Sequence, residues 1–523
     1  MIVELGLSTQ FLYYTLGMIA TGGIYSSIKR INKVDKLANN DIKDYKELKK
    51  IMGNDGLQVS KNIQLKEKYD LEGICLIGPT GAGKTTSLFL NNLLNNDIRG
   101  SYIVTDPKGE LYELSSGFQK NVCGRKVYKV DFTDTDYSER YNLLANCKNS
   151  EEVIQLASNL LLNGALSIEL ASGKKAGGVE WIQMAEPLLA AALLYVKDLE
   201  KPFNTIEFAL QLILNLSNEQ LKGLIDKSKN IDAITQYDIF LMVGGADRTE
   251  GSIKITLASN MKLFTTRDVN KISIDTTFNI EDFRKEESIL YVIYPERKSN
   301  YLAPFIAPFF SQLIDKLLDY FRKGCMPIHL LFEEMGNIGM LSNMSINAAT
   351  IRSRNMSLTA CLQGITQLQQ VYGINNSKTI LNNLKTKLVL PGVTDIDTIN
   401  YISSLCGVKE INTKSINYSG QNQSINNSKA KKKIFEDGEL RTLEDNTVLI
   451  ISNNKMPVID ELSLYYETDL KENVIEKVKY KKYVSSVFNF RDEIERIKAS
   501  SNEQELEDGN ARRTLRQIFT EKG

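Results

Sequence analysis

Eight consecutive residues, Gly78-Pro79-Thr80-Gly81-Ala82-Gly83-Lys84-Thr85, satisfy the pattern G-x-x-x-x-G-K-[ST] at every fixed position. The glycines let the chain curl so that successive backbone N–H groups and the start of the following helix face a polyphosphate. Lys84 is then placed to reach the β- and γ-phosphates of ATP, and Thr85 to set its hydroxyl on Mg²⁺, with Thr86 closing the loop. Such a site calls for an acidic partner at the end of another strand, and Ile328-His329-Leu330-Leu331-Phe332-Glu333-Glu334 supplies one. Of two successive carboxylates there, Glu333 is assigned to magnesium and Glu334 to polarising the attacking water. His329, the only histidine, stands inside the same strand and is read as a core or strand-surface residue.

These residues need a sheet to hold them. Gly73 to Ile77 is a short apolar run that ends in the Gly-rich turn, and Leu88, Phe89, Leu93 and Leu94 mark a helix after it. Similar runs recur at Tyr102 to Thr105, Val127 to Val130, Ile289 to Ile293, Ile328 to Phe332, Leu358 to Leu362 and Lys387 to Leu390. Helical patterns separate several of them, which predicts an α/β domain with a largely parallel sheet. Between about residues 145 and 280 the strand signals fade, and helical periodicities appear at Ile154 to Leu162, Trp181 to Val196 and Phe208 to Leu224. An all-helical insertion is expected there, with Trp181, the only tryptophan, as a core anchor beside Met184, Leu188 and Leu189. Ile411 to Lys433 is rich in Asn, Ser and Lys and is expected to be a solvated loop, its cluster Lys429, Lys431, Lys432 and Lys433 within reach of phosphate. The tail after Arg491 is charge-dense, with apolar positions too sparse to bury a core.

The whole chain of 523 residues carries 64 Lys+Arg against 64 Asp+Glu, which excludes a globally basic nucleic-acid glue and leaves a local basic channel open. Cys75, Cys123, Cys147, Cys325, Cys361 and Cys406 form no C-x-x-C pair, so neither a zinc nor a disulfide framework is expected, in keeping with a reducing cytosol. Leu5 to Ile28 is uncharged over 24 positions, long enough for one membrane span, and Lys29, Arg30, Lys33 and Lys36 follow it. The positive-inside bias puts the bulk of the chain in the cytoplasm, single-pass. The expected organisation is an anchor at 1–30, a connector at 31–70, the first part of the nucleotide-binding domain at 71–145, the helical insertion at 146–280, the second part at 281–470 and a charged tail at 471–523.

Four stretches together resemble the TraG-type coupling ATPases of conjugation and type IV secretion: IGPTGAGKTT, the strand-end TDPKGEL at Thr105 to Leu111, LLFEEMGNIG at Leu330 to Gly339, and LTACLQGITQLQQVYG at Leu358 to Gly373. The likeness continues through ILNNLKTKLVLPG and GELRTL, covering about residues 70 to 460. It implies a RecA-like motor domain, an inserted helical domain, a membrane anchor, and homo-hexamers that pass single-stranded DNA with its relaxase to a secretion channel. Residue by residue, it places Arg352, with Arg354 in reserve, as an arginine acting on a neighbouring subunit's γ-phosphate. It also places Gln363 where an amide senses that phosphate or holds the water, and Asp106 and Lys108 at the ligand-binding edge of the sheet. Glu333 stands where relatives usually show Asp, and one anchor span is found where the family usually carries two. Two rival readings are a duplex-DNA translocase of the FtsK or HerA kind and a nucleotide-binding docking platform with little hydrolysis.

Overall fold

In the computed structural model the described residues are 48–173, 178–244, 247–419, 422–483 and 488–500; the uncharged N-terminal stretch lies outside them. Short runs buried along their whole length mark strands covered on both faces, the signature of a parallel sheet interior. Six runs meet that condition: β1 (Ile74–Ile77), β2 (Ser101–Asp106), β4 (Ser288–Ile293), β5 (Ile328–Phe332), β6 (Met356–Leu362) and β7 (Thr386–Val389). β3 (Lys126–Asp131) is partly exposed because it closes one edge of the sheet. Beyond β7 the sheet continues through β10 (Thr447–Ser452) and β11 (Val458–Glu461), giving the order β11-β10-β7-β1-β6-β5-β2-β4-β3. Every pairing from β7 to β3 is parallel; β10 runs antiparallel to both its neighbours. Successive side chains alternate between two cores: Cys75, Ile77, Leu330 and Phe332 enter one, Ile74, Leu76 and Leu331 the other.

Helix α1 (Glu110–Asn121) leads from β2 to β3. Between β3 and β4 the described chain is helical: α2 (Ser150–Ser172), α3 (Val179–Lys197), α4 (Ile206–Asn215), α5 (Asn218–Ser228), α6 (Ile231–Gly244), α7 (Asp247–Asn260) and α8 (Arg267–Ser273). α2 and α3 are long and apolar enough to cross a membrane, but half of each apolar window is buried inside the protein. They pack on each other, and α2 also packs on α9 (Ser299–Asp319), which connects this layer to the sheet. Caps begin several of these helices: the Asn149 side chain accepts from Glu152 N–H, Thr205 from Phe208, and Ser217 with Gln220 forms a reciprocal capping box. Helices α10 (Ile365–Asn383) and α11 (Ile396–Cys406) flank β7 in sequence.

Three expectations from the sequence need correction. Residues 411–433 are not a loop. They belong to a two-stranded antiparallel ribbon, β8 (Val408–Ser419) with β9 (Asn422–Lys433), in register from Val408↔Lys433 to Ser419↔Asn422. Polar composition hid it, because backbone pairing between two strands requires no apolar face. The expected tail at 471–523 is a packed strap over its first part. Tyr112 donates its hydroxyl to Val478 O, Val478 N–H donates to Ser116 Oγ (3.1 Å), and Tyr480 Oη donates to Val127 O (2.8 Å). Farther on, the Phe490 ring lies 5.0 Å from Phe208 and the Phe488 ring 5.6 Å from Phe203, and Ile494 is buried as well. Trp181 is no core anchor: it lies in the first turn of α3 and is 36 % exposed, while Ile182, Ala185, Leu188 and Leu189 carry the buried face.

The strap depends on a close backbone approach at Gly117 of α1, where an added Cβ would stand 2.1 Å from Glu476 O. Gly117→Ala is therefore expected to lift the strap and cost about 1–3 kcal/mol of stability. Chemical denaturation, together with faster limited proteolysis within residues 471–490, checks this.

Candidate functional site

The carboxyl ends of three adjacent strands bring the chemistry together. β6 lies between β1 and β5, with Ile77 opposite Leu362 and Phe332 opposite Ala360, so the residues that follow all three strands emerge at one level. Gly78 N–H donates to Leu362 O (3.1 Å) and fixes the start of the loop against β6. Gly81 (φ +84°) and Gly83 (φ +87°) adopt left-handed backbone that strains other residues, and an added Cβ at Gly81 would meet nothing within 4 Å. The loop is thus open on its outer side. Thr85–Phe89 continues it as a single π-helical turn, a feature often found at functional sites.

Lys84 Nζ donates to Gly78 O (3.0 Å) and pairs with Glu334 Oε1 (3.4 Å), both side chains being under a tenth exposed. Thr85 donates its hydroxyl to Glu333, whose own N–H is held by Thr105 Oγ1 (2.8 Å). Gln363 Nε2 donates to Glu334 Oε1 (3.4 Å), and Gln363 N–H donates to Gln367 Oε1 (2.9 Å). Glu334 Oε2 is buried with no hydrogen-bond partner. Burial pushes the Glu333 carboxyl up to about 8, against the opposing pull of the Thr85 hydrogen bond and the Lys108 charge. Lys84 therefore pairs with one buried acid, Glu334, while the second, Glu333, is held by Thr85 and feels the Lys108 charge. Among the described residues no three His, Cys, Asp or Glu side chains gather into a metal cage. Mg²⁺ fits this donor set, because it is commonly held by one or two protein oxygens together with substrate phosphates and water.

A cavity of about 330 Å³ opens over the loop, lined by Thr80, Lys84, Thr85, Lys108, Glu334 and Tyr466 among others. Of the residues expected from sequence, Gly81, Gly83, Thr86 and Glu333 also line it, and Thr86 donates to Gly83 O (3.1 Å). Pro79 and Ala82 shape the turn through an Ala82 N–H to Pro79 O bond (3.3 Å). Lys108 faces the cavity, whereas Asp106 does not line it. The Asp106 carboxylate accepts from Tyr112 N–H (2.8 Å) at the start of α1, and burial raises it to about 6. His329 is buried at the far end of β5, with Nδ1 2.9 Å from Ser357 Oγ and Nε2 3.1 Å from Arg99 O.

Arg352 is not brought to this cavity within its own chain. It precedes β6, at the opposite edge of the sheet, where its guanidinium is half-exposed and pairs with Glu72 Oε1 (2.9 Å). Arg354 packs over the Phe321 ring. Tyr466 carries no sequence signature of the site. It reaches the cavity from the segment after β11, far from the loop in sequence, and no local pattern marks it. Thr105 was visible only as a polar residue ending an apolar run.

The sequence model of the family described as Type IV secretory system Conjugative DNA transfer matches residues 30–506. No curated protein matches by sequence. Among solved structures, the bacterial conjugative coupling protein TrwBdeltaN70 in its unbound monoclinic form aligns with TM-score 0.61 at 15 % identity, over 80 % of this chain and 91 % of that one. TrwB in complex with the ATP analogue ADPNP aligns with TM-score 0.62 at 14 % identity, over 81 % and 92 %. VirB4 of Thermoanaerobacter pseudethanolicus aligns with TM-score 0.50 at 12 % identity, over 81 % and 99 %. At these identities the structural likenesses establish the mixed α/β fold with its largely parallel sheet.

The raised Glu333 carboxyl makes a signed prediction. Its pKa in the folded, nucleotide-free protein exceeds the ordinary value of 4.5, so the folded state binds the proton more tightly than the unfolded chain. This group's contribution to stability therefore declines as pH rises from about 4.5 to about 8. With EDTA present, Glu333→Gln is expected to raise stability at pH above 8 by on the order of 1–3 kcal/mol, with a smaller gain near pH 5. Denaturant titrations at several pH values check the trend.

Proposed function

Because the chain belongs to the Type IV secretory system Conjugative DNA transfer family, we propose that it is a membrane-anchored P-loop ATPase coupling protein that uses ATP hydrolysis to move single-stranded DNA, with its relaxase, to a secretion channel. The observation that carries the enzymatic part is the unpartnered, buried Glu334 oxygen beside Lys84 at the cavity. TrwB has been captured with ATP and GTP analogues and with ADP and Mg²⁺, which supports ATP and Mg²⁺ as the ligands here.

On this reading the backbone of Gly78 to Thr86 cradles the phosphates. Lys84 exchanges its contacts with Gly78 O and Glu334 for the β- and γ-phosphates, and this releases Glu334. The freed carboxylate orients a water and accepts its proton, and Gln363, already donating to Glu334, holds that oxygen in line. Thr85 and Glu333 would hold Mg²⁺, which supplies charge neutralisation at the β- and γ-phosphate oxygens. Arg352, at the other edge of the sheet and half-exposed, would serve the site of the neighbouring subunit in a homo-hexamer. Leu5 to Ile28 would anchor the chain in the membrane, leaving the ATPase in the cytoplasm.

The direct test compares ATP hydrolysis by the detergent-solubilised full chain with and without single-stranded DNA over a range of salt. Stimulation that fades as salt rises is expected; equal rates at every salt would remove the DNA motor reading. Glu334→Gln should retain ATP binding while hydrolysis falls about 10²- to 10⁴-fold. A docking platform would be indifferent to that change. Lys84→Ala and Arg352→Ala subunits should each be inactive alone and partly active when mixed. An arginine acting within its own subunit would give no such recovery.

A further inference from the structure

The β8–β9 ribbon stands apart from the main sheet and pairs only with itself. At about 3.3 Å per residue its strands run about 40 Å. Such a two-stranded ribbon is marginal by itself. Its charge is lopsided: residues 408–433 contain Lys409, Lys414, Lys429, Lys431, Lys432 and Lys433 against the single acid Glu410, in a chain of zero net charge. Four of the six lysines lie within five consecutive positions at the stem. Strand alternation places Lys429, Lys431 and Lys433 on one face of β9, with Lys432 on the other.

Little on the protein competes for these charges. Lys429, Lys431 and Lys432 are exposed. Lys429 pairs with Glu410 at 3.4 Å and Lys433 with Asp437 at 2.9 Å, both across solvent-exposed side chains where ion pairs contribute little and exchange readily. Among the described residues Lys431 and Lys432 form no ion pair. Alternate lysines on one face stand about 6.7 Å apart. That matches every second phosphate of a stacked strand, which rises about 3.4 Å per nucleotide.

The ribbon's stem is joined to the site. Ile434 N–H donates to Gly407 O (3.0 Å) and Ser403 Oγ to Phe435 O (3.0 Å), seating the stem on the end of α11. The cap of α11, Asp395, accepts from Thr366 Oγ1 (3.4 Å), and Ile365 N–H donates to Thr398 Oγ1 (2.9 Å), so the start of α11 rests on the turn that begins at Gln363. One helix thus lies between the glutamine beside Glu334 and the lysine-rich stem.

We infer that the stem of the β8–β9 ribbon, through Lys429, Lys431, Lys432 and Lys433, is a contact surface for the phosphodiester backbone of single-stranded DNA. This rests on the DNA-transfer reading above and adds the surface that grips the strand. Binding there is sequence-tolerant and salt-dependent.

The test uses the full chain in detergent and a labelled oligo-deoxythymidylate strand, followed by fluorescence anisotropy across a salt series. Changing all four lysines to Gln is expected to weaken binding about tenfold or more at low salt. It should also lower the slope of log affinity against log salt by about 0.7 for each phosphate that a lysine no longer neutralises, about 2 to 3 in all. The four Lys→Arg changes should preserve both. Retained binding of a fluorescent ATP analogue shows that the Gln variant is folded, and ultraviolet cross-linking of the unaltered protein to the strand, mapped by mass spectrometry, should mark peptides within residues 408–433. An unchanged slope in a folded Gln variant, or cross-links confined to other regions, overturns the ribbon assignment while the DNA-transfer reading stands. Absence of any strand binding by the unaltered protein overturns both.

Discussion

The buried ion pair between Lys84 and Glu334, set beside a second buried acid, Glu333, is the interaction on which the rest of the architecture depends. Taking Lys84, Glu333 and Glu334 out of water is costly, and the attraction between Lys84 and Glu334 offsets only part of it. The remainder is supplied by a sheet whose interior strands are buried on both faces, so that β1, β6 and β5 cannot slip without exposing two cores at once. Register then decides function. With Ile77 level with Leu362, the start of the phosphate loop at Gly78 and the glutamine after β6 emerge side by side, and the acids after β5 arrive one strand farther along. The residual strain is visible in the raised carboxyl of Glu333 and the unpaired oxygen of Glu334, where phosphate, cation and water would complete the network.

The same sheet sets the cavity and Arg352 apart. The phosphate loop and acids occupy the carboxyl edge, whereas Arg352 sits before β6 at the amino edge, restrained by Glu72. On the proposed reading, such a chain would carry both halves of a composite site without being able to close them on itself. In the proposed hexamer, each carboxyl edge would meet the amino edge of its neighbour, and hydrolysis would report on assembly. The strap from β11 past Tyr466 to Phe490 ties the cavity, α1, β3 and α4 into one packed unit, so that the helical layer is held to the sheet at its edge as well as through α9.

What was legible in the sequence was what is local. The loop Gly78 to Thr85 encodes its own turn, and Glu333-Glu334 and Gln363 each end a short, predominantly apolar run, so their placement at strand ends follows from the sequence pattern. Seven parallel strands were readable for the same reason. Contacts between distant segments were not. Tyr466 and Val478 owe their positions to where the chain returns after β11, and Gly117 shows its meaning only once Glu476 lies across it. The β8–β9 ribbon was missed because Asn, Ser and Lys give no apolar alternation, although its twelve-residue strands pair throughout. Trp181 misled in the other direction, since hydrophobic bulk at helical spacing does not say on which turn the buried face begins.

In the proposed mechanism this cradle takes a magnesium nucleotide, and the buried acids complete their coordination only then. Titration calorimetry of the full chain with a non-hydrolysable ATP analogue, repeated at pH 7 in buffers of differing ionisation heat, tests it most directly. Saturable binding that depends on Mg²⁺ and releases a proton as Glu333 ionises is expected. Correctly folded protein that takes up no nucleotide with Mg²⁺ present would contradict it.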